Sequence, residues 1–185
     1  MMEKVNIQKQ LDSFANKRLP LWDDFPDFEL YMDQLVSLGN RYLEGLIESP
    51  LTPSMVNSYV KKGLMTRPQK KKYTNMHLAE LIAISLLKAI YPLDVIANYL
   101  EELLHEFSIK ESYNSFATIF NDSLKNSCQA NFATDLTTLS QTTITKHIVI
   151  RAMIYKMIGE QLIQKNTIHA PKDNVNTKKD LGKNS

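Results

Sequence analysis

Between Glu48 and Glu80 this chain carries no acidic residue, and the gap holds six basic ones: Lys61, Lys62, Arg67, Lys70, Lys71 and Lys72. The punctuation of that stretch admits one short helix and then a loop. Thr52 is an N-cap residue, and Pro53 at the first helical position lacks only an N–H that would have no partner there. Gly63 can take the positive φ that ends a helix, and Leu64 can fold back onto the last turn. Met55, Val56, Tyr59 and Val60 share one helix face and are expected inside; Ser54, Asn57, Ser58, Lys61 and Lys62 share the other. Residues 66–72 are too polar for a core and contain Pro68, so they read as a loop or two-stranded wing, with Tyr73 as its anchor.

The rest of the chain reads as all-α. Glycine occurs only five times in 185 residues, and few segments alternate with period two. The formal net charge of +2 hides an uneven distribution: residues 49–79 are purely basic, while residues 1–48 and 80–164 each carry nine acids against five and six bases. A basic face on an acidic body attracts polyanions more than the net value suggests. Cys128 is alone, so no internal disulfide can form. The first residues show no apolar run of signal-peptide type, and the most apolar region, 78–104, is broken by charges and Pro92. A cytoplasmic location and no membrane partner are the expectations.

Four regions are expected. Residues 1–26 form an N-terminal helix over 3–18 (Val5, Leu11, Phe14, Ala15) and a packing arm with Trp22, Phe25 and Phe28 tucked onto the body. Residues 27–106 form the central domain. In it, Asp27 caps a helix to about Ile47 with Tyr31, Leu35, Leu38, Tyr42 and Leu46 inward. Thr74 caps a helix ending near Tyr91, with Leu78, Leu81, Ile82, Ser85 and Leu86 buried. Pro92 opens another, with Leu93, Ile96, Ala97, Leu100, Leu103 and Leu104 apolar. Residues 107–165 form a C-terminal helical region: Ser108 and Glu111 have capping-box spacing, 126–142 reads as loop, and a helix runs over about 143–164. That last helix has a heptad-like stripe, Ile144, Ile148, Arg151, Tyr155, Ile158 and Leu162, and a second stripe, Ile150, Met153 and Met157. It needs cover on two sides, either from a central place in the bundle or from a second subunit. Residues 166–185 read as a disordered tail.

The order helix, Gly63-Leu64, basic loop, Tyr73, capped helix, Pro92-Leu93, helix resembles the winged helix-turn-helix of MerR-type regulators. FPDFELYMDQL, LTPSMVNSYVKKGLM, the lysines before Tyr73 and LAELIAISLLKAIYPLDVI together resemble a bacterial family, mostly from Firmicutes, built on such a domain and without an assigned activity. The resemblance implies a fold and a DNA-binding role, and no cofactor is expected. Three features depart from the MerR pattern. The wing lacks a glycine before its basic residues, Asn57 stands where an arginine is usual, and no long coiled-coil helix follows the domain directly.

The expected function is transcription control through double-stranded DNA, with residues 52–63 as recognition helix and 66–73 as wing. Ser54, Asn57, Ser58 and Lys61 are placed near bases, and Lys62, Arg67, Lys70, Lys71 and Lys72 on phosphates. Tyr59 and Tyr73 fix the geometry, and the hydroxyl of each can add a phosphate hydrogen bond. A homodimer through the C-terminal helix is the partner expectation. The alternatives are an interaction module docking an acidic protein, and a ligand sensor whose pocket is lined by aromatic residues of 113–120 and the C-terminal helix. No catalytic role is expected: His77, His105, His147 and His169 are scattered, with His77 read as a surface residue. The lone cysteine has no partner motif, and Asp23, Asp24 and Asp27 read as a solvated acidic loop.

Overall fold

The segment Asn75–Leu87 is apolar on nearly every side, and a helix of that kind is stable only when surrounded. In the computed structural model, which describes residues 13–128 and 140–168, it is the central helix. The elements in order are α1 (Met32–Tyr42), α2 (Pro53–Lys61), α3 (Asn75–Leu87), α4 (Leu93–Glu106), α5 (Ile109–Cys128) and α6 (Gln141–Ile168), preceded by a 3-10 turn at Trp22–Asp24. The described residues are all-helical. They contain no strand, only two isolated β-bridges, Leu30 with Tyr73 and Gln69 with Lys72. Helix α3 packs against α1, α5 and α6. It is buried all round rather than on one side, and it stops at Leu87 rather than near Tyr91. One continuous core joins it to α5 and α6, so the α4–α5 junction is a turn inside a single packed body.

Helix α1 is shorter at both ends than its periodicity suggests. Asp27 does not cap it. Leu30 N–H donates to the Tyr73 carbonyl (2.7 Å) and Tyr73 N–H donates to the Leu30 carbonyl (2.8 Å), which holds Leu30 outside the helix. Tyr31 is the N-cap residue, and its N–H donates to Gln34 Oε1 at 2.8 Å. At the other end Gly45 takes a φ of +69° and the chain turns. The inward stripe is therefore Leu35, Gly39, Leu43 and Leu46, while Tyr31 is 53% exposed and Leu38 and Tyr42 are half-buried. Gly39 sets a close approach: a Cβ there would lie 2.8 Å from Leu51 Cδ1 and 3.2 Å from Leu81 Cδ2.

Two asparagine amides pin loops by pairing with backbone as a neighbouring strand would. Asn40 Oδ1 accepts from Leu51 N–H (2.6 Å) and its Nδ2 donates to the Leu51 carbonyl (3.1 Å), which fixes the entry to α2. Asn121 does the same at Leu19, with 2.7 and 3.0 Å. The arm is fastened to α5 by three further contacts. Trp22 N–H donates to Asn114 Oδ1, Tyr113 Oη donates to the Pro20 carbonyl, and Lys110 pairs with Asp23. Phe25 is buried between Tyr42 and Tyr113 as a packing arm requires, but Phe28 is 60% exposed. Of the expected N-terminal helix, residues 13–15 are helical and Phe14 is buried; Val5 and Leu11 lie outside the described residues.

Helices α4 and α5 start where Pro92 and the Ser108–Glu111 box predict: Glu111 N–H donates to Ser108 Oγ, and Ser108 N–H donates to Glu111 Oε2. Leu104, expected inside, is 45% exposed. Helix α5 runs on to Cys128 through part of the expected loop, of which residues 129–139 lie outside the described residues. Helix α6 buries Ile150, Met153, Ile154 and Met157, mainly against α5, and leaves Ile148 52% and Tyr155 45% exposed. It is thus a flanking helix with one apolar stripe outward, and the central place belongs to α3. The tail expectation falls on residues 169–185, outside the described residues, and on the last residues of α6, which are helical at 166–168. Among the described residues no helix is long and apolar enough to cross a membrane.

Candidate nucleic-acid interface

The punctuation of residues 52–64 produces the helix it predicts. Thr52 Oγ1 accepts from Met55 N–H at 3.3 Å, with Pro53 as the first residue of α2. At the far end Gly63 has a φ of +73°. Its N–H donates to Val60, and Leu64 N–H donates back to Tyr59 at 3.0 Å, the two bonds of a Schellman motif. Val56, Tyr59 and Leu64 are buried. Ser54, Asn57 and Lys61, spaced by three and four, form an exposed stripe, with Ser58 half-buried at its edge and Lys62 exposed beside it.

The basic loop is a tight turn rather than a pair of strands. Lys72 N–H donates to the Gln69 carbonyl at 2.8 Å, and the two central residues, Lys70 and Lys71, both have positive φ, 48° and 62°. Positive φ at both central positions is the mark of a type I′ turn, which normally selects Asn-Gly. Lysine there is strained by about 1–2 kcal/mol per residue. The strain is held in place by Tyr73, 4% exposed, whose backbone pairs with Leu30 and whose ring meets His77 edge-on at 5.3 Å. The loop's other end is tied by Glu80, which accepts from Thr66 N–H (3.0 Å) and Thr66 Oγ1 (2.6 Å).

The expected contact residues are not equivalent in place. Lys61, Lys62, Arg67, Lys70 and Lys71 are exposed, and none of them takes part in the ion pairs found among the described residues. Lys72 is turned toward the body instead. Its Nζ lies 4.2 Å from the Tyr31 ring centroid and 3.9 Å from Glu29 Oε2, an acid distant in sequence that folds up to the acid-free stretch. Tyr59 is a core residue whose hydroxyl is buried, so it fixes α2 and does not reach a phosphate in this arrangement. Lys88, not singled out from the sequence, is brought to the base of α2, its Nζ 5.8 Å from the Tyr59 ring centroid.

His77 is 3% exposed rather than a surface residue. Its Nδ1 accepts from Thr74 N–H at 2.9 Å and so caps α3. The Thr74-to-His77 spacing of three residues was the available signal, but glutamate or glutamine is the usual partner in such a box. Burial holds the His77 pKa below the ordinary histidine value, against a smaller opposing pull from the Arg67 backbone. The neutral ring is the one that caps. Its contribution to stability is therefore full above about pH 6.5, the unfolded value, and is lost as pH falls through the lower folded value. His77→Gln keeps an acceptor without the titration. Between pH 7.5 and 5 the wild type is expected to lose about 1 kcal/mol more stability than this variant, read from urea midpoints at the two pH values.

No cluster of three or more His, Cys, Asp or Glu able to hold a metal occurs among the described residues. The family model described as a domain of unknown function (DUF1836) matches residues 20–122, more than half of the chain, and takes in the arm, α1 to α4, the basic loop and most of α5. No curated protein and no solved structure matches the chain.

Proposed function

This chain belongs to the DUF1836 family, and we propose that it is a transcriptional regulator that binds double-stranded DNA through α2 and the basic loop, a MerR-like winged helix-turn-helix in plan. The observation that carries the reading is the turn at Lys70 and Lys71. Two lysines occupy positive-φ positions that Asn-Gly would fill with less strain, on a loop tied down at both ends beside an acid-free helix. Strain retained at an exposed, charged position is the pattern expected of a contact site rather than of a solvated loop. Ser54, Asn57 and Lys61 present donors and acceptors for base edges, with Ser58 at the margin. Lys62, Arg67, Lys70 and Lys71 meet phosphates, joined by Lys88. Lys72 and the two tyrosines hold the geometry.

The outward stripe of α6, with Ile148 and Tyr155, supports pairing of two copies. A symmetric dimer would carry its two recognition helices to successive major grooves, about 34–36 Å apart. Selection from a random duplex library tests the reading. An enriched motif with dyad symmetry is the expected result. Salt-sensitive retention with no enriched motif would transfer the basic face to an acidic protein partner.

A further inference from the structure

A second site lies away from the exposed face of α2. A cavity of about 460 Å³ is bounded by α3, α4, the start of α5 and the Gly63–Thr66 link, a volume within the range of small-molecule sites. Its lining is largely apolar, with Leu87, Leu100, Leu103 and Phe116. The polar exceptions are informative. Ser112 Oγ and Tyr99 Oη are buried and have no hydrogen-bond partner among the described residues. Buried hydroxyls in that state cost stability until something pairs with them. Glu80 also lines the cavity; burial raises its pKa while its bonds from Thr66 pull the other way. Thr66 is a neutral partner, and no cation pairs with Glu80 among the described residues. The charged or titratable groups on the wall are Glu80, Glu101, His105 and two tyrosines, with no lysine or arginine. Such a wall repels carboxylates and phosphates and lacks a counter-ion of its own.

We propose that this cavity binds an apolar organic cation: a protonated amine on a hydrocarbon or aromatic body, with Glu80 as its counter-ion. The body fills the space between α3, α4 and α5, and the hydroxyls of Ser112 and Tyr99 accept the remaining polar hydrogens. Of the residues a sensor pocket was expected to use, Tyr113 and Phe116 line the cavity; Phe120 lies in the closed core, and the described part of α6 contributes nothing to the wall. The position has a consequence for the basic loop, because the carboxylate that would take the cation is the one that holds Thr66.

The test uses the full chain without DNA, so it succeeds or fails separately from the DNA reading. Calorimetric titration compares 4-phenylbutylammonium, 4-phenylbutanol and 4-phenylbutyrate, which share a body and differ in charge. The cation is expected to bind about tenfold or more tighter than the alcohol, and the anion weakest. Glu80→Gln should bring the cation to within about twofold of the alcohol while leaving the alcohol unchanged, which also shows that the cavity is intact. Ala83→Leu, which pushes a larger side chain into the wall, should weaken all three probes. The proposal is overturned if no probe binds, if the anion matches the cation, or if Glu80→Gln leaves the preference in place.

Discussion

Replacing Lys70 and Lys71 by Asn and Gly is expected to make the protein more stable and a weaker DNA binder. Both positions have positive φ, and Asn-Gly is the pair that a type I′ turn selects. Relief of the backbone strain should raise the unfolding free energy by about 2 kcal/mol, the lower end of roughly 1–2 kcal/mol at each of the two positions. For a chain of this size that corresponds to a rise in Tm of roughly 4–8 °C. The same change removes two phosphate contacts. With a salt slope of about −0.9 per contact, binding at 0.1 M salt should weaken roughly 60-fold. Thermal unfolding and fluorescence anisotropy on the same preparation read the two effects. Stabilisation with unchanged affinity would remove the lysines from the interface. Weaker binding without stabilisation would mean that the turn carries no strain.

Tyr73→Ala is expected to have the opposite signature, losing stability and binding together. Tyr73 is 4% exposed, and its ring packs edge-on against His77 at the base of the loop. Truncating a buried aromatic to alanine typically costs about 3–5 kcal/mol, or roughly 10 °C in Tm here. Removing the ring also frees the loop to leave the α2 side of the molecule. Tyr73→Phe separates anchor from contact. It keeps the packing and should hold stability within about 1 kcal/mol, since the hydroxyl makes no hydrogen bond among the described residues. A fall in DNA affinity in the Phe variant at unchanged stability assigns the hydroxyl to a phosphate. Equal affinity confines Tyr73 to anchoring.

Which parts of this arrangement were readable in advance follows from how local their causes are. Thr52-Pro53, Gly63-Leu64, Pro92 and Ser108–Glu111 act within one helical turn, so α2 and the starts of α4 and α5 stand where the residues place them. The start of α1 does not, because it is set by a bridge from Leu30 to Tyr73, forty-three positions away, which overrides Asp27 as a cap. The turn at Lys70 and Lys71 was hidden for another reason. Positive φ is usually announced by glycine or asparagine, and lysine announces only charge. Lys72 looked equivalent to its neighbours until Glu29 and Tyr31 were brought beside it. His77 was read as surface because glutamate, not histidine, is the usual partner of a threonine cap. The residues left open whether a central place in the bundle or a second subunit supplies the second cover of the C-terminal helix, since α3 and α6 are both apolar on more than one side and periodicity alone does not rank them.

Fluorescence anisotropy with a labelled random-sequence duplex across a salt series tests DNA binding most directly, with wild type beside Lys70→Ala/Lys71→Ala/Lys72→Ala. About five phosphate contacts per subunit predict a wild-type slope of log K against log salt near −4.5, roughly doubled in a dimer. The triple variant should be shallower by about two units per subunit, the two fully exposed lysines accounting for most of the change. Absence of binding at low salt with both proteins folded, or identical slopes for the two, would contradict the assignment of α2 and the basic loop to DNA.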